Sequence, residues 1–216
     1  MDFSFLPKYY LFFINGAKFT IFLAFFTVLI GFVLGVLLAL MRLSNKKILN
    51  IVAAAYIEFI RGTPILVQLY IVFYGLPHIG ITLPDSIAGI IALSVNSAAY
   101  IAEIVRAGIQ AVDKGQMEAA RSLGMPHNMG MRFIIIPQAV KNILPALGNE
   151  FITVIKESSI ASIIGIHELM YNADTVRGNI FRPFEPLIVA AIMYFVLTFS
   201  LSKLVGAFER RMKTSD

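Results

Sequence analysis

The 23 residues from Phe19 to Met41 carry no charge and are bounded by Lys18 and Arg42. A helix advancing about 1.5 Å per residue needs about 20 apolar residues to cross about 30 Å of hydrocarbon. The stretch is therefore long enough for a bilayer and too long for the core of a secretory signal, and no small-residue cleavage site follows it. It is expected to remain in the chain as a first membrane helix. Composition extends the argument to the whole molecule, because 58% of its 216 residues are hydrophobic and 14% are charged, against about 25% charged in an ordinary soluble domain. One soluble core cannot bury that much apolar surface, so lipid must cover part of it. The same content excludes disorder, and the absence of cysteine excludes a disulfide scaffold while leaving the redox compartment open.

Further apolar runs divide residues 1–216 into one all-α membrane domain with five expected spans, at about 17–42, 51–76, 86–105, 138–166 and 186–206. The second contains Glu58, Arg61 and the breaker run Gly62-Thr63-Pro64. Because Ile65 to Leu76 is too short to cross alone, its helix is expected to begin upstream, with Glu58 and Arg61 paired at i,i+3 near one surface. The fourth holds Glu150, Lys156 and Glu157 and is the most polar. Residues 106–132 form the one long polar stretch, a cytoplasmic loop, and residues 168–185 a second polar loop.

Basic residues assign the sides. Arg42, Lys46, Lys47, Arg106, Lys114, Arg121, Arg132, Lys141, Lys203, Arg210, Arg211 and Lys213 fall on one side, whereas Lys8, Lys18, Arg177 and Arg182 fall on the other. Short cytoplasmic loops are enriched in Lys and Arg. The net charge of +5 thus reflects membrane edges and lipid contact, with no need for nucleic acid. The expectation is a multi-pass membrane protein with its N-terminus outside and its C-terminus in the cytoplasm.

The polar loop reads Gln116-Met-Glu-Ala-Ala-Arg-Ser-Leu-Gly124, followed by Met125-Pro-His-Asn-Met-Gly-Met-Arg-Phe-Ile-Ile-Ile-Pro137. Physically this is a short helix, a glycine able to take the positive φ of a helix end, and a second segment opened by Pro126. Ala119 and Ala120 leave a small-sided helix that another protein can approach; a plain solvated loop helix fits the physics equally well. The spacing Glu118-Ala119-Ala120, Gly124, Ile134, Ile136-Pro137 resembles the EAA signature of ABC importer membrane subunits, with Ile136 in place of the usual Leu. Tyr56 to Gln68, Asn96 to Arg106, Gly148 to Glu150 and Lys156 to Ser159 are similar to the polar amino acid uptake branch of that family.

That resemblance implies a type I importer-like fold in the bacterial cytoplasmic (inner) membrane, in which a pair of membrane subunits, identical or different, docks cytoplasmic ATPases and receives cargo from an external binding protein. Glu118, Ala119, Ala120 and Gly124 would make the ATPase contact. The chain contains no G-x-x-x-x-G-K-[ST] phosphate cradle. It is therefore expected to be a transport subunit and not an enzyme, with no cofactor of its own, ATP and magnesium being held by the partner ATPase.

Cargo residues are sought where polar groups enter spans. Asn96, Tyr100 and Glu103 recur at i, i+4 and i+7 on the third span, with Ser97 beside them, and Glu150, Thr153 and Glu157 do so on the fourth. An ionised group at membrane depth costs roughly 2.5–3.5 kcal/mol on insertion scales and should face protein or water. Surplus negative charge would suit arginine, lysine or histidine; glutamine or another polar amino acid is the alternative, and a gated channel a more distant one. The competing structural reading has Lys156 or Arg106 pairing with a nearby Glu while Asn96 merely joins helices. Gly31-x-x-x-Gly35 offers close helix packing. His78, His127 and His167 lack partners at ligand spacing, so no metal site is expected, and no nucleophile-base constellation for an intramembrane enzyme is found.

Overall fold

The computed structural model describes residues 1–213; residues 214–216, the end of the tail expected in the cytoplasm, lie outside the described residues. The described chain is helical throughout: α1 (Leu6–Leu43), α2 (Lys47–Gly62), α3 (Ile65–His78), α4 (Asp85–Gln110), α5 (Lys114–Ser122), α6 (His127–Gly130), α7 (Ile136–Glu157), α8 (Leu169–Ile180) and α9 (Glu185–Lys213). A π-helical turn, Met131–Ile135, leads into α7, and a 3-10 segment, Ser158–Ile164, leaves it.

Glycine seams set the packing. A Cβ on Gly31 would lie 3.2 Å from Ser97 Cβ, and one on Gly35 would lie 2.8 Å from Ile101 Cβ and 2.9 Å from the Ala98 carbonyl oxygen. The Gly31-x-x-x-Gly35 pair therefore lets α1 and α4 touch almost backbone to backbone, as small residues do in membrane helices. The residue pairs rise together in number, so α1 and α4 run parallel. By the same logic Gly108 against Ile143 and Ser97 against Glu150 make α7 antiparallel to α4, and Gly148 against Val205, with Val154 and Ile155 clustered beside Leu201 and Tyr194, makes α9 antiparallel to α7. The starts of α1, α4 and α9 thus share one end of the bundle. Their other ends gather with α5 and α6.

Several boundaries differ from the sequence expectation. The first helix begins at Leu6, eleven residues before 17, because Pro7 suits a first helical turn and Lys8 and Lys18 remain exposed on its surface. The third runs to Gln110, carrying Arg106 out of the supposed loop. The second is not one helix: α2 and α3 are bent by 105°. Pro64 supplies no backbone N–H and drives Thr63 into extended backbone, with φ −116° and ψ 144°. Leu6–Leu43, Asp85–Gln110 and Glu185–Met212 are each long and apolar enough to cross a membrane, and the bent pair gives up to four. The 138–166 region is a helix only to Glu157, and its polar residues keep it from meeting the same test.

The supposed loop 168–185 also contains a helix, α8. Glu168 caps it by accepting the Tyr171 N–H at 2.7 Å. The Glu168 carboxylate is fully buried and also accepts the Tyr194 hydroxyl at 2.6 Å and the Thr20 hydroxyl at 3.5 Å, joining α1, α8 and α9. Beside them Phe13, Leu169, Ala173 and Val176 form an apolar cluster. At the surface of this end Arg182 donates to the Asp2 carboxylate at 2.5 Å. That guanidinium, with the Ser4 backbone amide, holds the Asp2 carboxyl well below the usual carboxylate range.

Candidate functional site

The polar residues of α4 divide between two neighbours. Asn96 is buried and donates through Nδ2 to Gln68 Oε1 at 2.9 Å, toward the break between α2 and α3. Ser97, the next residue, faces the opposite partner and donates its hydroxyl to Glu150 Oε1 at 2.8 Å. The two residues therefore do not line one surface. Glu150 is buried, and among the described residues no Lys or Arg pairs with it. Thr153 and Glu157 continue its side of α7 and are half-buried.

Tyr100 and Glu103 belong to a third setting. Arg106 grips Glu103 through two hydrogen bonds, Nε to Oε1 at 2.9 Å and Nη2 to Oε2 at 2.7 Å, and Arg61 approaches Glu103 Oε2 at 3.8 Å. The Arg61 guanidinium also lies 5.4 Å from the centre of the Tyr100 ring, which is partly exposed. Two cations share one carboxylate here, so Glu103 has no surplus negative charge for cargo. The expected Glu58–Arg61 pair does not form: Arg61 reaches Glu103 on α4 instead, and Glu58 stays exposed.

Gln68 is the polar residue that sequence reasoning passed over. It is buried, and its Nε2 reaches the Ile60 carbonyl at 2.7 Å, the Thr63 carbonyl at 3.1 Å and the Thr63 hydroxyl at 2.9 Å. The available signal was an amide four residues after a proline inside an apolar run. Glu168, Thr20 and Tyr194 were also missed, because each stands alone in sequence and only the fold brings them together.

The loop after α4 is built as its residues predict. Asp113 caps α5 by accepting the Gly115 N–H at 2.7 Å. Gly124 ends it with φ +82° and open space around its Cα. Glu118, Ala119, Arg121, Ser122 and Gly124 are exposed, and Leu123 projects with 83% of its surface free. Ala120 faces inward instead, buried beside Gly130, whose added Cβ would lie 3.6 Å from its own. The small side chains thus serve two purposes: Ala120 seats α5 against α6, whereas Ala119 belongs to the open face. The result is an exposed helical knob with an apolar tip, Leu123, at the end of the bundle where α1, α4 and α9 terminate.

A family model described as the inner membrane component of binding-protein-dependent transport systems matches residues 31–214. The chain belongs to this family. The permease is 41% identical to the arginine transport system permease protein ArtQ of Bacillus subtilis (strain 168), over all of this chain and 99% of the relative. It is 43% identical to the putative glutamine transport system permease protein GlnP of Rickettsia bellii (strain RML369-C), over 98% and 97% of the two chains. The crystal structure of an amino acid ABC transporter with histidines matches with 54% identity and a TM-score of 0.95, covering 98% of this chain and 99% of that one. The inward-facing MetNI methionine transporter shares the fold at 20% identity and a TM-score of 0.77.

Proposed function

We propose that this permease forms the membrane path of an ATP-driven importer of polar amino acids and that its preferred cargo is basic. The observation that carries the cargo reading is Glu150: a buried carboxylate whose polar contact among the described residues is the hydroxyl of Ser97. Its remaining lone pairs are open to a cationic partner, and Thr153 and Glu157 extend the same side of α7. A lone acid at this depth is costly unless it meets a cation or water. An arginine, lysine or histidine side chain supplies the cation. The relative named for arginine agrees with this reading. The relative named for glutamine favours a second one, in which Glu150 holds the α-amino group common to all these amino acids.

The rest of the assembly follows from the knob around α5. A partner ATPase holding ATP and magnesium docks there, an external binding protein delivers cargo at the opposite end, and a second permease subunit completes the path. Closure of the ATPases then rocks rigid helices about the site. Of the residues first considered for cargo, Ser97, Glu150, Thr153 and Glu157 are retained. Asn96 and Glu103 have structural partners, and Tyr100 stays with Arg61.

The test is uptake of arginine, lysine, histidine and glutamine by reconstituted complexes carrying Glu150→Gln. Charges about 4 Å apart at an effective dielectric of about 20 attract by about 4 kcal/mol before desolvation, so even a fraction of this weakens basic cargo by about tenfold or more. Glutamine should be much less affected. Selective loss of glutamine uptake would overturn the basic preference, and equal small effects on all four would leave Glu150 a structural group. In the same preparation Glu118→Lys should remove transport and weaken ATPase retention while leaving insertion intact; normal uptake would remove the docking role.

A further inference from the structure

The break between α2 and α3 takes backbone carbonyls out of the regular helical ladder inside an apolar segment, and the Ile60 carbonyl keeps only a long 3.5 Å bond from the Thr63 N–H. Water is scarce there, and such groups must be satisfied within the protein. Gln68 answers this need from the first turn of α3. Its amide nitrogen reaches back to the carbonyls of Ile60 and Thr63 and to the Thr63 hydroxyl, while its amide oxygen accepts from Asn96 on α4. Both side chains are buried, Gln68 to 6% and Asn96 to 5% of their free surface. One side chain thus touches three helices. Asn96 precedes Ser97, the residue bonded to Glu150, so the anchorage of the elbow and the polar contact of α7 sit on consecutive residues of α4.

We propose that Gln68 is a positioning residue that fixes the angle between α2 and α3 and makes this elbow move as one body with the stretch of α4 that carries Ser97. Asn96 is the second half of the clamp, and its bond to Gln68 explains its burial without any contact to cargo. Arg61, at the α2 side of the elbow, reaches Glu103 and Tyr100 on α4. A loose elbow therefore disturbs the α2–α4 contact as well as the α3–α4 contact.

Because the chain lacks cysteine, spin labels can be attached to introduced pairs in the full complex in lipid. Val52 on α2, Ile71 on α3 and Ile87 on α4 are exposed and suit this purpose. Gln68→Leu keeps nearly the same volume but removes the amide that donates to the Ile60 and Thr63 carbonyls, leaving only the longer Thr63 contacts to Ile60. It should broaden the 52–71 distance distribution by about twofold, because the carbonyls then accept alternative arrangements. Asn96→Leu should leave the 52–71 width near its original value and broaden the 71–87 distribution. Gln68→Leu should also lower the maximal rate of arginine uptake by about tenfold with a KM within about twofold, since it touches positioning and not the cargo contact. The uptake readout rests on the amino acid reading above, whereas the distances do not. An unchanged 52–71 width in Gln68→Leu overturns the proposal. If that variant does not reach the membrane, an unchanged 71–87 width in Asn96→Leu overturns it instead.

Discussion

Single side chains in this permease are weighed by whether their partners are complete. Glu168 is deeper than Glu150, yet it is surrounded by donors: the Tyr194 hydroxyl, the Tyr171 amide and the more distant Thr20 hydroxyl. It is a joint between helices, and completeness is what separates it from Glu150. Tyr194→Phe removes the closest donor without changing the ring. A buried acceptor that loses its hydrogen bond costs about 1–3 kcal/mol. The variant should therefore melt at a lower temperature in detergent, and an unchanged melting temperature would mean that the hydroxyl is dispensable. The Asp2–Arg182 pair at the surface follows a different rule. The folded Asp2 carboxyl titrates below its unfolded value, so its contribution is present above the unfolded pKa and is lost as the pH falls through the folded one. At neutral pH this tie between the amino terminus and the start of α9 is closed.

At the level of elements, sequence served best where one residue type dictates one geometry. Gly124 takes its positive φ and Pro126 opens the next segment, as the chemistry of glycine and proline requires. Gly31 and Gly35 form the close seam that their spacing implies. The α2–α3 elbow was not legible, although Gly62-Thr63-Pro64 lay in view. An apolar run on both sides of a proline is compatible with a gentle kink, and only the clamp from Gln68 reveals why the turn is sharp. Polar residues at helical spacing were likewise ambiguous. Asn96, Tyr100 and Glu103 share a stripe, but α3, α2 and Arg106 each claim one of them. The seam makes a graded prediction. Gly35→Ala forces a methyl against backbone and a β-branched carbon at 2.8–2.9 Å, whereas Gly31→Ala meets its closest neighbour at 3.2 Å. Overpacking of this kind costs about 1–3 kcal/mol. Thermal unfolding in detergent should rank Gly35→Ala below Gly31→Ala, and the reverse order would mean that the seam relaxes elsewhere.

For the whole molecule, the two ends of the helix bundle differ in chemistry. One end bears the Asp2–Arg182 tie, and the other bears α5, α6 and most of the basic residues. The expected orientation places α5 in the cytoplasm. A label unable to cross the membrane should modify a cysteine introduced at Ile79, which is 70% exposed, in intact cells and should miss one introduced at exposed Lys114. The opposite pattern would invert the assignment. Hydropathy and basic residues made the membrane class legible at once. The expected fourth span was less so, because α7 trades apolar side chains for the polar groups it presents to α4, and the usual membrane signal weakens where that exchange is made.

The parallel contact of α1 with α4 also bears on how the chain is made. Helices adjacent in sequence tend to run antiparallel and can meet as soon as the second emerges from the ribosome. The partner of Gly35 is Ile101, so α1 must wait for the whole elbow and most of α4 to be synthesised. At about 5–20 residues per second that interval is roughly three to twelve seconds. Throughout it the glycine groove of α1 is open to lipid or to the insertion machinery. A nascent chain halted before Asp85 should therefore hold α1 without its mate, and the bundle can close only after the third membrane passage has been delivered.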